Sequence, residues 1–245
     1  MKQYFEMDPT LFPFILFSPP HLIVLILFSL GFILFFHFGP RIIHPSFRHP
    51  FRWGLASFLL MGEVSWQTWL YLNDAWKIQY SLPLELCSIS ALLAALLLLT
   101  RNPKLFPFVY FCGIAGATQA LITPALEFSF PHFRFFHFFA IHGAIILAAL
   151  YMVRVEGMRP RPSSIGQALL QLNLVALLIG AINRKIDGNY MFLSAKPPGP
   201  SLLDWLGPWP WYLLSMELVA LGCFALLYLP FLFTERKKAE QKSYV

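Results

Sequence analysis

Apolar residues gather into seven runs along this chain, at about 21–38, 51–72, 82–100, 105–123, 133–153, 165–183 and 211–233. Each approaches the ~20 residues a helix needs to cross a hydrocarbon layer about 30 Å thick. Gly39-Pro40, Asn102-Pro103, Thr123-Pro124 and the stretch from Arg159 to Pro162 punctuate the runs where a helix would have to stop. A shorter apolar run, 11–18, is broken by Pro13 and reads as an interfacial part of an N-terminal segment, 1–20. Glu6 and Asp8 precede it with a single Lys and no small-residue cleavage site follows, so no cleavable signal peptide is expected. The pattern predicts an all-α, polytopic membrane bundle of seven helices over 21–233, an outer loop at 184–210 and a basic tail at 234–245.

Polar residues interrupt these runs at Glu63, Cys87, Gln119, His142, Asn173, Asn183 and Glu217. An ionisable group in hydrocarbon costs roughly 2.5–3.5 kcal/mol on insertion scales, so such residues face the bundle interior and mark a site. At ~1.5 Å of rise per residue, all of them except Asn173 fall in one half of the membrane. Helical periodicity puts Cys87 on one stripe with Ser90, Ala91 and Ala94. Gln119 shares a stripe with Cys112, Ala115, Gly116 and Thr123, and Asn173 with Gly166, Ala176 and Gly180. Small and polar residues on one face are what close helix packing in a membrane uses. These stripes are therefore expected to turn inward, with Glu63, Gln119, His142 and Glu217 lining one cavity. Arg134 and Arg184 are the nearest basic partners for the two carboxylates.

Composition agrees with this class. The 245 residues are 58% hydrophobic and only 12% charged, against about 25% charged in soluble domains. The net charge of +6 follows the loops and is no nucleic-acid signature. With the N-terminus outside, 12 of the 18 Lys and Arg fall in cytoplasmic segments: Arg41, Arg48, Arg52, Arg101, Lys104, Arg154, Arg159, Arg161, Arg236, Lys237, Lys238 and Lys242. The positive-inside rule then gives N-out and C-in. Trp205, Trp209, Trp211 and Tyr212 mark the outer interface. Cys112 and Cys223 read as small packing residues, and no metal-ligand spacing or cofactor motif occurs among the three cysteines and their surroundings. Cys87 differs, because it follows the helix start Ser81-Leu-Pro83, where the dipole favours a thiolate. Glu85 lies on nearly the opposite side of that helix. His132 and His137 are expected at the interface.

The runs LPLELCSISALLAALLLLT (82–100), FCGIAGATQALITP (111–124), FPHFRFFHFFAIHGAIILAALYMV (130–153), INRKIDGNYMFLSAKPPGPSLLDWLGPWPWY (182–212) and LLSMELVAL (213–221) resemble the YwaF family of bacterial multi-span proteins. The resemblance covers roughly residues 50–233, and the 186–212 loop is its most specific part. That family is similar to a eukaryotic transmembrane acyltransferase that carries polyunsaturated acyl chains through a Cys thioester with a His base. More distantly it resembles the androgen-induced-gene hydrolases of branched fatty-acid esters. The resemblance implies Cys87 as nucleophile and His142 as base. One departure stands out: Glu85 occupies the position two before the Cys where the motif carries His.

Two classes of function compete. A lipid-directed enzyme would use Cys87 and His142 on an acyl ester, with a membrane lipid as donor and acceptor, Gln119 or Asn183 at the oxyanion, and the outer loop as a lid. No cofactor is implied. A small proton-coupled transporter would use Glu63, His142 and Glu217 as a relay, but no internal repeat is visible and the polar groups cluster on one side. A non-catalytic lipid-binding role is the remaining alternative. A retinal photoreceptor is excluded, because the seventh run has no Lys for a Schiff base. Every reading places the chain in the cell membrane as a multi-pass protein.

Overall fold

Seven α-helices take up the seven apolar runs: α1 (Pro19–Ile42), α2 (Pro45–Leu72), α3 (Leu86–Thr100), α4 (Ile114–Ile122), α5 (Phe133–Arg154), α6 (Pro162–Ile186) and α7 (Trp211–Ser243). The computed structural model describes residues 2–197 and 202–243, so part of the 184–210 loop and the end of the basic tail lie outside the described residues. Among the described residues there is no strand, only an isolated antiparallel bridge between Pro13 and Phe128. Proline opens α1, α2 and α6, where its missing N–H leaves no bond unmade. The imidazoles of His44 and His132 cap α2 and α5 by accepting from Ser46 N and Arg134 N. Arg101 and Asp187 end α3 and α6 in the left-handed conformation.

Helix α5 is the axis of the bundle. It packs against α1, α2, α3, α4 and the π-helical turn Phe108–Gly113 that precedes α4. Gly143, Ala144, Ala148 and Ala149 are buried along it, and small residues are what allow helices to approach closely without water to drive them together. The perimeter is the reverse. Leu22, Ile26, Leu30 and Ile33 of α1 are exposed, as are Leu170, Leu174 and Leu177 of α6 and Leu214, Leu218 and Leu226 of α7. A continuous exposed apolar belt of this kind suits hydrocarbon as solvent. Four helical stretches, Pro19–Ile42, Phe133–Arg154, Pro162–Ile186 and Trp211–Leu232, are long and apolar enough to cross a membrane. The fold is a helical membrane bundle, and the chain is a multi-pass membrane protein.

Helices α3 and α4 are short. The 15 residues of α3 span about 22 Å, less than the ~30 Å hydrocarbon core. The space above them is filled by loops that bond to one another, which is the only condition under which irregular backbone is tolerated at such depth. This loop-bearing face also carries the ends of α2, α4 and α6 and the starts of α5 and α7. Residues 5–14 close over it. Trp69 Nε1 donates to Phe5 O (2.7 Å), Phe14 N to Glu127 O (2.9 Å) and Ser129 N to Phe12 O (2.7 Å). His132 Nε2 sits 2.9 Å from Glu6 O, and because its Nδ1 already accepts from Arg134 N, Nε2 is the donor. Burial holds this imidazole below its ordinary pKa of 6.5.

Candidate functional site

The start of α3 departs from the expectation. Sequence punctuation puts it at 82, but Leu84 N bonds Leu82 O (2.7 Å) in a tight turn around Pro83, and the first helical bond is Ile89 N to Glu85 O (3.0 Å). Pro83 disfavours a helical conformation at Leu82, and Tyr190 holds that segment as a loop. Its hydroxyl accepts from Leu82 N (2.7 Å) and donates to Ile78 O (2.7 Å). Glu85 is therefore the residue before the helix and Cys87 the second residue in it, one turn earlier than the sequence suggested. The N–H groups of Leu86, Cys87 and Ser88 carry no hydrogen bond among the described residues, as the first amides of a helix do when no side chain caps them. The half-buried thiol of Cys87 thus stands among unbonded donors at the positive end of the helix dipole.

A second loop roofs this end. Asn183 is buried, and its side-chain amide is committed twice to that roof: Nδ2 donates to Tyr190 O (3.0 Å) and Oδ1 accepts from Tyr190 N (3.0 Å). Glu85 accepts from Met191 N (3.0 Å), and Tyr212 donates to Phe192 O. Glu85 is thus a tether for the 190–192 turn. Neither Glu85 nor Tyr190 is among the residues the sequence pattern places in the site. The signal that could have found Tyr190 is its place in a polar stretch, Asn183-Arg184-Lys185 with Asp187 and Asn189, directly after an apolar run; nothing local marks Glu85.

His142 lies on the buried face of α5, the helix packed directly on α3. The stripe expected around Cys87 does turn inward, with Ser90, Ala91 and Ala94 buried. His142 Nδ1 is 2.7 Å from Phe138 O. A carbonyl can only accept, so Nδ1 carries the proton and Nε2 presents a lone pair. No hydrogen bond joins the Cys87 thiol to this imidazole.

The other candidates each have their own partner. Glu63 accepts from Gln67 Nε2 (2.8 Å), which also donates to Ser81 O (2.7 Å). Glu217 pairs with Asn173 across α6 and α7, so Asn173 lies level with Glu217 and not deeper, as estimated from the sequence. Gln119 is exposed and bonds Thr123, the residue that follows its own helix. Among the described residues, neither expected basic partner meets a carboxylate within 4 Å; Arg134 instead stacks on Trp66 at 3.8 Å and donates to His137 Nδ1. His137 in turn donates Nε2–H to Gly62 O (2.9 Å), drawing α5 to α2.

A family model, described as the TMEM164 family, matches residues 16–228. No curated protein and no solved structure matches.

Proposed function

The chain belongs to the TMEM164 family, and from that premise we propose that it is a seven-span, N-out cell-membrane protein that moves acyl chains between lipids through a thioester on Cys87. The observation that carries this reading is the placement of the thiol in the first turn of α3, among unbonded amides and beneath a tethered loop. The similarity of the Cys87 and His142 segments to a Cys/His acyltransferase supports it from the sequence side.

In this reading His142 Nε2 takes the thiol proton, and the sulfur attacks an ester carbonyl as the C–S bond forms. Amides of Cys87 and Ser88 hold the oxyanion, where one aligned donor is worth about 3–4 kcal/mol. They replace Gln119 and Asn183 in that role, since one faces outward and the other is committed to Tyr190. The C–O bond then breaks, and the proton on Nε2 passes to the departing alkoxide, leaving a lysolipid. A second lysolipid hydroxyl, or water, gives its proton to Nε2 and attacks the thioester; the C–S bond breaks and the thiol recovers its proton. Approach of sulfur and imidazole to hydrogen-bond distance belongs to the lipid-loaded state. A relay through Glu63, His142 and Glu217 is less well supported, because each ends on a different partner.

Incubation of the solubilised chain with a phospholipid carrying an alkynyl acyl group tests the proposal. A hydroxylamine-labile label should appear on Cys87 and vanish in Cys87→Ala. In His142→Ala its rate should fall about 10²–10⁴-fold. Turnover that persists in Cys87→Ala, or a folded wild type that never labels, overturns it.

A further inference from the structure

The opposite face of the bundle holds a charge imbalance unconnected with Cys87. Arg48 and Arg52 stand one turn apart on α2, on the same side. Arg52 is only 6% exposed, and its Nε and Nη1 are enclosed without a hydrogen-bond partner among the described residues. Arg48 Nε is in the same condition. Around them lie Tyr151 and Glu156. Tyr151, fully buried on α5, reaches Arg48 O (2.9 Å) and Glu156 Oε1 (3.2 Å). The charges of Arg48, Arg52 and Glu156 all act on that hydroxyl. Glu156 Oε2 is taken by Arg101 Nη1 at 3.6 Å. Glu156 is thus taken up by Arg101 and Tyr151, and Arg52, the most deeply buried of the three arginines, lacks an ion-pair partner among the described residues. Arg154 does not relieve or add to this, since it is turned toward Phe36.

A buried guanidinium with unpaired N–H groups is among the most costly arrangements in a protein interior, because the charge has left water without a substitute. It persists where something else supplies the acceptor. The planar fork of Arg matches tetrahedral oxyanions, and two such forks with a third at the rim give a dianion its hydrogen bonds from more than one direction. Arg52 lies seven residues from the start of α2 at Pro45, about 10 Å along the axis. Arg52 is thus close to the end of the bundle where α2 begins, within reach of a small anion entering from water or of a lipid headgroup at that end. We infer that Arg52, Arg48 and Arg101 form a binding site for a phosphate-type oxyanion at this end of the bundle. Its occupant is the phosphate of an anionic lipid or a free phosphate, and Tyr151 with Glu156 sets its far wall.

The test uses the full chain in a neutral detergent, with thermal unfolding followed during titration with dioctanoyl phosphatidic acid, dioctanoyl phosphatidylcholine and inorganic phosphate. A saturable rise in Tm with phosphatidic acid, reached at lower concentration than with phosphatidylcholine, is the expected result. Arg52→Gln should raise the half-saturating concentration about tenfold or more, and Arg101→Gln by less. Lys77→Gln, a basic residue on the loop-bearing face, should leave it unchanged. A matching saturable rise with inorganic phosphate also supports the site and names the free ion as the occupant. If Arg52→Gln does not fold, Arg52→Lys keeps the charge but loses the fork, and together with Arg101→Gln it carries the comparison. The proposal fails if no probe gives a saturable shift, or if the shift is the same in wild type and in every folded variant of Arg52 and Arg101.

Discussion

What a histidine does in this bundle depends on which ring nitrogen is already engaged. In His21, Nδ1 accepts from Phe17 N (3.1 Å) and Nε2 meets Leu121 O (2.9 Å), and His132 and His137 repeat that arrangement with other partners. All three are clasps, bonded at both nitrogens. His142 is the reverse, with Nδ1 engaged and Nε2 presenting its lone pair. Residue type was legible in the sequence, but this difference was not, because it is set by carbonyls and amides that reach the ring from other elements. The clasp at His132 gives a pH prediction. Burial lowers its folded pKa, so protonation favours the open state. Its contribution is complete above 6.5 and is lost as pH falls below that value toward the lower folded pKa. Hydrogen exchange in residues 2–14 should quicken between pH 8 and pH 5 relative to the α5 core. In His132→Gln, whose amide both donates and accepts, the pH dependence should flatten; an unchanged profile would assign the loosening to another group.

Two elements moved between sequence and structure. The π-helical turn Phe108–Gly113 inserts an extra residue's worth of rotation into the fourth run. The stripe drawn at 100° per residue through Cys112 and Gln119 splits, with Cys112 inside that turn buried and Gln119 near the end of α4 outside. No α-helical period could have revealed that. The late start of α3 has its cause in Tyr190, more than 100 residues away, and this too is invisible to local pattern. Tyr190→Phe should leave Leu82 N and Ile78 O unpaired, costing about 1–3 kcal/mol. Limited proteolysis between 184 and 197 should quicken accordingly, and no change in cleavage would mean the hydroxyl is not the anchor. At the α1–α5 contact, a Cβ on Gly143 would stand 2.9 Å from two ring carbons of Phe28. Gly143→Ala should therefore lower stability by about 1–3 kcal/mol, with Phe28→Leu restoring part of it. Thermal melts of the two single variants and the double variant check this.

The bundle as a whole was the most legible level, because hydrocarbon leaves a chain so few ways to satisfy its backbone. The seven runs became seven helices, and the inward stripe of the third became buried surface of α3, which packs on α5 among others. The network of polar partners was not legible, since Glu63 with Gln67 and Glu217 with Asn173 depend on rotations that apolar periodicity leaves free. For topology, reporter fusions should place the segment before α1 and the tail after α7 on opposite sides of the membrane, with the tail cytoplasmic. Matching sides would remove one crossing.

The central position of α5 also bears on how the chain is made. Synthesis delivers α1 through α4 before the helix they pack around, and α1 has its main partner in α5. Until residue 154 has left the ribosome and translocon, the earlier helices lack the α5 surface they pack on, and the guanidinium of Arg52 is without Tyr151 nearby. The growing chain should therefore stay a loose, chaperone-accessible set of inserted segments and condense late. Truncations ending near residue 125 should be degraded in the membrane, while those ending after 158 should survive with α1 already docked.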